Sequence, residues 1–288
     1  MGKRDRKILL EGSVVKKFVF MWVTALVLLV NGPLSASAAN SLMMATTTST
    51  DNTGLMDILA PQFKKDTGVE LKWTAVGTGK ALELGKNCDV DLLLVHAPAA
   101  EKKFVADSYG TDRIRVMYND FVVIGPQNDP AGLKGLSIIE ALRKLAARKA
   151  AFVSRGDNSD TNKKEISLWK TAGMVVPDKE KWYVQTGQGM ISTINVATEK
   201  GAYTMTDRGT FIKFADHHGG NPPLVVLVEG DPGLFNQYSV IAVNPVNCKN
   251  AQYGLARKFA DWITSHDTQN LIGNFKLLNK ELFIPNAR

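Results

Sequence analysis

From residue 41 onward, short apolar runs alternate with amphipathic stretches, and that alternation restricts the chain to an α/β fold. The runs are Ser41–Ala45, Glu70–Val76, Val90–Val95, Phe121–Ile124, Ala151–Ser154, Tyr203–Thr206, Leu224–Val228 and Ser239–Val243. Runs this short, bounded by turn residues, suit buried strands of mixed, largely parallel sheets. Between them, Leu55, Met56, Leu59 and Phe63 fall on one helical face, and Ser137-x-x-Glu140 has the form of a capping box opening a helix toward Lys149. No internal repeat interrupts the pattern. Two runs end at proline, Phe121-Val-Val-Ile-Gly-Pro126 and Tyr238-Ser-Val-Ile-Ala-Val-Asn-Pro245. Read as crossings, they divide the chain into a lobe of 39–120 plus 242–288 and a lobe of 125–238, with a ligand cleft between the lobes at strand carboxyl ends. The alternative is ordinary strands in one sheet.

The amino end has the form of an export signal. Lys16 and Lys17 precede the apolar run Phe18–Val30, and Ala36-Ser37-Ala38-Ala39 offers a small-residue cleavage site after residue 38. The run is too short for a spanning helix, and nothing later is long and uncharged enough to cross a bilayer. Residues 1–38 carry six basic and two acidic residues, so their removal lowers the formal charge from +7 to +3. A balance that mild, with no long basic block, argues against nucleic acid as partner. The 250 residues that remain can bury a large core. Cys88 and Cys248 would both lie in an oxidising compartment after export. A bridge and two separate thiols are both compatible with the sequence, which does not supply the Cα separation.

Chemistry concentrates where apolar runs end. Leu42-Met-Met-Ala runs into Thr46, Thr47, Thr48, Ser49 and Thr50, then into a helical stretch near Asp51–Leu55. Free N–H groups at a helix start, with hydroxyls beside them, form an anion-binding arrangement. Capping and β-propensity explain one or two of these hydroxyls, not five. Val76-Gly77-Thr78-Gly79-Lys80-Ala81 repeats the geometry. It fails the phosphate-loop pattern twice, with Thr74 in place of the first glycine and Ala81 in place of Ser/Thr. Thr78 and Gly79 can still face an anion, although a tight turn alone also accounts for them. Phe152-Val-Ser154-Arg155-Gly156-Asp157-Asn158-Ser159-Asp160-Thr161 is the sharpest such segment, and Arg155 the foremost residue in it. Its planar fork stays charged and grips oxyanions through paired N–H donors. The competing reading is a surface ion pair with Asp157 or Asp160. Thr186-Gly187-Gln188-Gly189-Met190 and Tyr203-Thr-Met-Thr-Asp-Arg208-Gly-Thr210 add two further strand-to-helix turns. Each turn is weak evidence alone, because Gly and Thr are common in turns.

Taken in order, Thr46–Ser49, Ser154–Asp157 with Thr161 and Lys163–Glu165, Thr186-Gly-x-Gly-Met190 and Tyr203–Thr210 resemble the TupA-type tungstate-binding proteins of bacterial ABC importers, over residues 42–285. The resemblance implies a type II periplasmic-binding-protein fold of two α/β lobes on a two-strand hinge, one tungstate in the cleft, and docking as a monomer on a permease at the inner membrane. It implies oxyanion contacts from Thr46, Thr47, Thr48, Ser49, Ser154, Arg155, Ser159, Thr161, Gly187 and Met190, to which the turn at Val76–Ala81 adds Thr78 and Gly79, with tungsten held through its oxygens and no cofactor. Glycine and histidine are the residues expected near Asp160 and Asn162. An acid beside a dianion is unfavourable, so Asp160 is expected to point outward. Molybdate has the same charge and nearly the same size as tungstate, so the sequence does not separate the two. Sulfate and phosphate are lesser alternatives; phosphate would want a carboxylate acceptor for its proton, and Asp51 or Asp160 is available.

A secreted anion-ester hydrolase is the rival class. His96, His217, His218 and His266 form no recognised metal spacing, and no G-x-S-x-G is present. A sensor or adhesion module rests only on the Arg155-Gly-Asp157 triplet.

Overall fold

The computed structural model describes residues 40–287, so the expected export signal over residues 1–38 lies outside the described residues. β1 (Ser41–Thr47) leads into a single helical turn, α1 (Thr48–Asp51), and then α2 (Leu55–Thr67). β2 (Glu70–Val76), α3 (Thr78–Lys86), β3 (Leu92–Val95) and α4 (Pro98–Ala106) follow, before the long β4 (Gly110–Pro126). Next come α5 (Ile138–Arg148), β5 (Phe152–Ser154), α6 (Asp160–Thr171), β6 (Tyr183–Gln185), α7 (Met190–Glu199), β7 (Tyr203–Asp207), α8 (Arg208–His217) and β8 (Leu224–Val228). The chain returns through β9 (Phe235–Val243), α9 (Tyr253–Ile263) and α10 (His266–Gly273), and ends with β10 (Lys276–Leu277), β11 (Lys280–Glu281) and β12 (Ile284–Pro285). The mixed α/β architecture expected from the alternation is the one observed.

The main sheet runs β2-β1-β3-β9-β4-β7-β5-β6, with β8 and β12 also pairing to β4. β1 lies parallel to β2 and β3, and β5 parallel to β6 and β7; all pairings of β4 and β9 are antiparallel. Parallel strands flanked by helices are buried on both faces, which explains why Leu92–Val95 is apolar at every position. Pleating then sends alternate residues to opposite cores. Leu42, Met44, Leu92 and Val240 join one cluster, while Ala45, Leu93, Ile241 and Val243 join the cluster on the other face. The second half of the sheet repeats this, with Phe121, Val123 and Phe152 on one side and Val122, Ile124 and Val153 on the other.

β4 joins the halves. Its residues Gly110–Asp120 pair with β9, and Phe121–Pro126 pair with β7 and β8. Gly125 is required in this second part, because a Cβ there would come within 2.9 Å of Leu227 and closer still to the Tyr203 ring. The return passage differs from the expectation that Tyr238–Pro245 crosses. β9 pairs with β4 from Phe235 onward, and Tyr238, Val240 and Ala242 pack with Leu42 and Phe259 in the first half. Leu234 still packs in the second half, so the chain crosses between Leu234 and Phe235. The run Tyr238–Val243 is apolar because it is a central strand buried on both faces.

The helix signals match. Leu55, Met56, Leu59 and Phe63 are fully buried, and the box at Ser137 closes through Glu140 N–H to Ser137 Oγ (3.3 Å) and Ser137 N–H to Glu140 Oε2 (3.1 Å). Cys88 and Cys248 form a disulfide, with Cα atoms 5.3 Å apart, tying the end of α3 to the loop after β9.

Candidate functional site

β1 passes straight into α1, and Thr47, still extended at φ −98°, is the cap; its Oγ1 accepts the Thr50 N–H at 3.3 Å. The five hydroxyls divide by the faces that strand and turn impose. Thr46 points into the sheet and donates to the Leu94 carbonyl at 2.9 Å. Thr50 is fully buried, with its Oγ1 2.7 Å from Thr47 Oγ1. Thr47, Thr48 and Ser49 face a cavity of about 510 Å³.

His96, just past β3, organises this hydroxyl group. Its Nε2 lies 3.1 Å from both Thr47 Oγ1 and Ser49 Oγ, and its Nδ1 lies 3.0 Å from Asn236 Oδ1. Asn236 in turn donates through Nδ2 to Asn119 Oδ1 at 2.8 Å, a chain that orients the ring. Burial holds the imidazole below its ordinary value of 6.5, opposed in part by the charges of Asp160 and Asp207. The neutral ring therefore presents Nδ1–H to Asn236 and a lone pair to the hydroxyls. His96 was not predicted; its position at the end of an apolar run, where the other turns were found, was the available signal.

On the opposite wall, β5 ends at Ser154 and the chain turns sharply through Gly156 (φ +60°) and Asn158 (φ +60°). Gly156 is required here, since a Cβ would sit 2.7 Å from the Cβ of Gln185 as well as carrying the left-handed strain. Ser159 then caps α6, accepting the Asn162 N–H at 3.3 Å. Arg155 faces the cavity while its Nε and Nη2 donate to Asp157 Oδ2 at 3.1 and 2.5 Å. The pair is about four-fifths buried (side chains 19% and 18% exposed), so it is not the surface ion pair weighed as an alternative. Asp157 fixes the fork and leaves Nη1 uncommitted among the described residues. Asp157 itself is held below the ordinary carboxylate range by hydrogen bonds from Ser159 and Arg155, which outweigh the effect of burial.

Of the twelve residues expected at the site, Thr47, Thr48, Ser49, Thr78, Gly79, Arg155, Ser159, Thr161 and Met190 line this one cavity. Three do not. Thr46 is committed to Leu94. Ser154, 1% exposed, donates to Glu165 Oε2 at 2.5 Å. Glu165 also accepts from Tyr183 OH (2.6 Å) and Trp169 Nε1 (3.0 Å), and burial raises its carboxyl above the usual range. Gly187 donates its N–H to the Arg155 carbonyl at 2.7 Å, bracing that residue from behind. The expectation that Asp160 points outward is also corrected: it faces the cavity, and its Oδ2 accepts Thr78 Oγ1–H at 2.6 Å from the other half of the sheet. Lys163, Asp207 and Asn236 are among the further lining residues that the expected set left out. The turn at Tyr203–Thr210 contributes Asp207 and Thr210, whereas Arg208 turns away to clamp Asp120 on β4 (2.5 Å) and Glu229 (2.8 Å).

Neutral hydroxyls on one wall and a guanidinium on the other can replace the hydration of a small anion. Among the described residues no cluster of three His, Cys, Asp or Glu side chains could hold a metal ion.

A family model described as a PBP superfamily domain matches residues 34–267. The chain is 52% identical over 240 residues to the tungstate-binding protein TupA of Campylobacter jejuni, covering 83% of this chain and 89% of the relative. Among solved structures, TupA from Desulfovibrio alaskensis G20 is 66% identical with a TM-score of 0.85, covering 87% of this chain and 100% of the other. A structure described as the tungstate ABC transporter from Geobacter sulfurreducens is 48% identical with a TM-score of 0.71, covering 82% of this chain and 98% of the other.

Proposed function

The chain belongs to the TupA tungstate-binding proteins of the PBP superfamily, and from that premise we propose that it captures tungstate and delivers it to the permease of an ABC importer. The observation that carries this reading is the cavity between the sheet halves, where Thr47, Thr48 and Ser49 face Arg155 and Thr161. Tungstate is a dianion, and stripping its water is costly unless fixed donors replace it. Each hydrogen bond to a charged oxygen contributes about 1.5–3 kcal/mol, so several neutral donors and one guanidinium suffice. The ligand is cargo, held through its oxygens, and the site needs no cofactor.

Residues 41–120 with 235–287 form one lobe and 125–234 the other, joined by β4 and by the passage at Leu234–Phe235. Closure of these lobes gives the permease a shape to recognise, because the ligand has donors on both walls only when they meet. Cleavage near residue 38 would release the protein to the periplasm, where it works as a monomer. A binding role, rather than hydrolysis, is the reading that the family supports.

Calorimetric titration of residues 39–288 with tungstate, molybdate, sulfate and phosphate tests the reading. Tight one-to-one binding of tungstate, weakened at least tenfold by Arg155→Gln, is expected. No heat with any of the four anions, or turnover of a generic phosphate ester, would overturn it.

A further inference from the structure

The charged side chains lining the cavity balance, with Arg155 and Lys163 against Asp160 and Asp207. A dianion site gains from surplus positive charge, so each carboxylate needs a reason to be present. Asp207 has one, since its two oxygens accept the Thr210 N–H (2.8 Å) and hydroxyl (2.7 Å) in capping α8. Asp160 is placed differently. It is the first residue of α6, after the cap Ser159, and among the described residues its side chain has a single hydrogen-bond partner, Thr78.

Thr78 belongs to the opposite wall, is 2% exposed, and opens α3 after Gly77. A hydroxyl has one proton to give, and here it goes to Asp160 rather than into the cavity. The Asp160 charge also offsets the positive start of α6, which would otherwise face an anion. Its field reaches His96, deep on the far wall, where it opposes the loss of the imidazole proton. An acid at a helix start is ordinarily a stabilising surface charge; one bonded across the cleft to a donor of the other half is set in the ligand's own place.

We propose that Asp160 is a resident competitor for the oxyanion: in the empty cleft its carboxylate holds the Thr78 hydroxyl and bridges the two walls, and the incoming anion must take that donor from it. Asp160 thereby sets the affinity of the site below what its donors would otherwise give. This inference rests on the tungstate reading above.

The test is calorimetric titration of the protein, Asp160→Asn and Asp160→Gly with tungstate at one pH and ionic strength. Asn preserves the side-chain shape and Gly removes it, so a folding defect in one leaves the other informative. Both variants are expected to bind tungstate at least tenfold more tightly than the parent. Thr78→Val is expected to weaken binding at least fivefold when added to Asp160→Gly, where the hydroxyl is free for the ligand, and less in the parent. Parent binding with equal or weaker binding by both variants would overturn the competitor alone. No tungstate binding by any of the three would overturn the function on which it rests.

Discussion

The two walls of the cavity answer one requirement with different chemistry. The first wall, at the ends of β1 and β3, offers neutral hydroxyls already bonded to one another and to a buried imidazole. The second, after β5, carries Arg155, Asp157, Asp160 and Lys163 within nine residues of chain, on a turn that needs two left-handed residues. Hydroxyls keep no net charge when the cleft is empty, so the first wall can be buried at little cost. Charged groups cannot be, and the second wall therefore keeps each of its acids partnered, Asp157 with Arg155 and Asp160 with Thr78. The contrast teaches that one wall supplies preformed shape and the other supplies charge whose balance can be altered.

On that division, removing the positive charge of the second wall should do the most harm. Arg155→Ala is expected to lower tungstate affinity at least 100-fold, about 2.8 kcal/mol, because it takes the guanidinium from the ligand and leaves Asp157 held by Ser159 alone. Equilibrium dialysis at fixed ionic strength measures it; a loss below tenfold would place the electrostatic work elsewhere. Next comes the turn that aims Arg155. Gly156→Ala combines left-handed strain with the collision against Gln185, costing roughly 1–3 kcal/mol. Affinity should fall by about tenfold or more while the urea midpoint moves modestly, since the turn can shift without unfolding the core. A large stability loss with unchanged affinity would show the turn to be structural only. On the first wall, Thr47→Val and Ser49→Ala each remove one neutral donor, and each should lower affinity by about tenfold or less. Equal or larger losses there than at Arg155 would erase the contrast between the walls.

The strand-then-turn positions were legible because apolar runs and turn residues are local signals, and a local signal suffices to say where β1, β2, β5 and β7 release the chain. That is why the sequence points to Arg155, Thr78 and the Thr47–Ser49 group, which line one cavity. What a side chain bonds to was not legible where the partner is distant. Thr46 and Ser154 look like their neighbours in sequence, yet Leu94 and Glu165 claim them. Asp160 seemed out of place beside an anion until Thr78, 82 residues earlier, supplied its partner. The return passage was misplaced for a related reason: a run buried on both faces gives no hint of which half of a continuous sheet buries it.

The smallest effect expected concerns the imidazole behind the first wall, and it asks whether that wall is neutral as described. His96 is held below its ordinary value of 6.5, chiefly by burial. The unfolded chain therefore takes up a proton near pH 6.5 that the folded protein does not. The stability due to His96 is fully present above pH 6.5 and is lost as pH falls toward the depressed folded value. Glu101 and Glu165 act in the opposite sense, because burial raises both, and their contribution is lost as pH rises. Asp129 and Asp157 are held below the ordinary carboxylate range and act only in more acidic solution. The useful quantity is thus the difference between the protein and His96→Gln, in which the carboxylate terms cancel. Urea midpoints measured stepwise below pH 7 should fall more steeply for the parent than for His96→Gln. Parallel curves would mean that the ring takes up its proton as readily in the folded protein as in the unfolded chain, and the first wall would then gain charge as the pH falls.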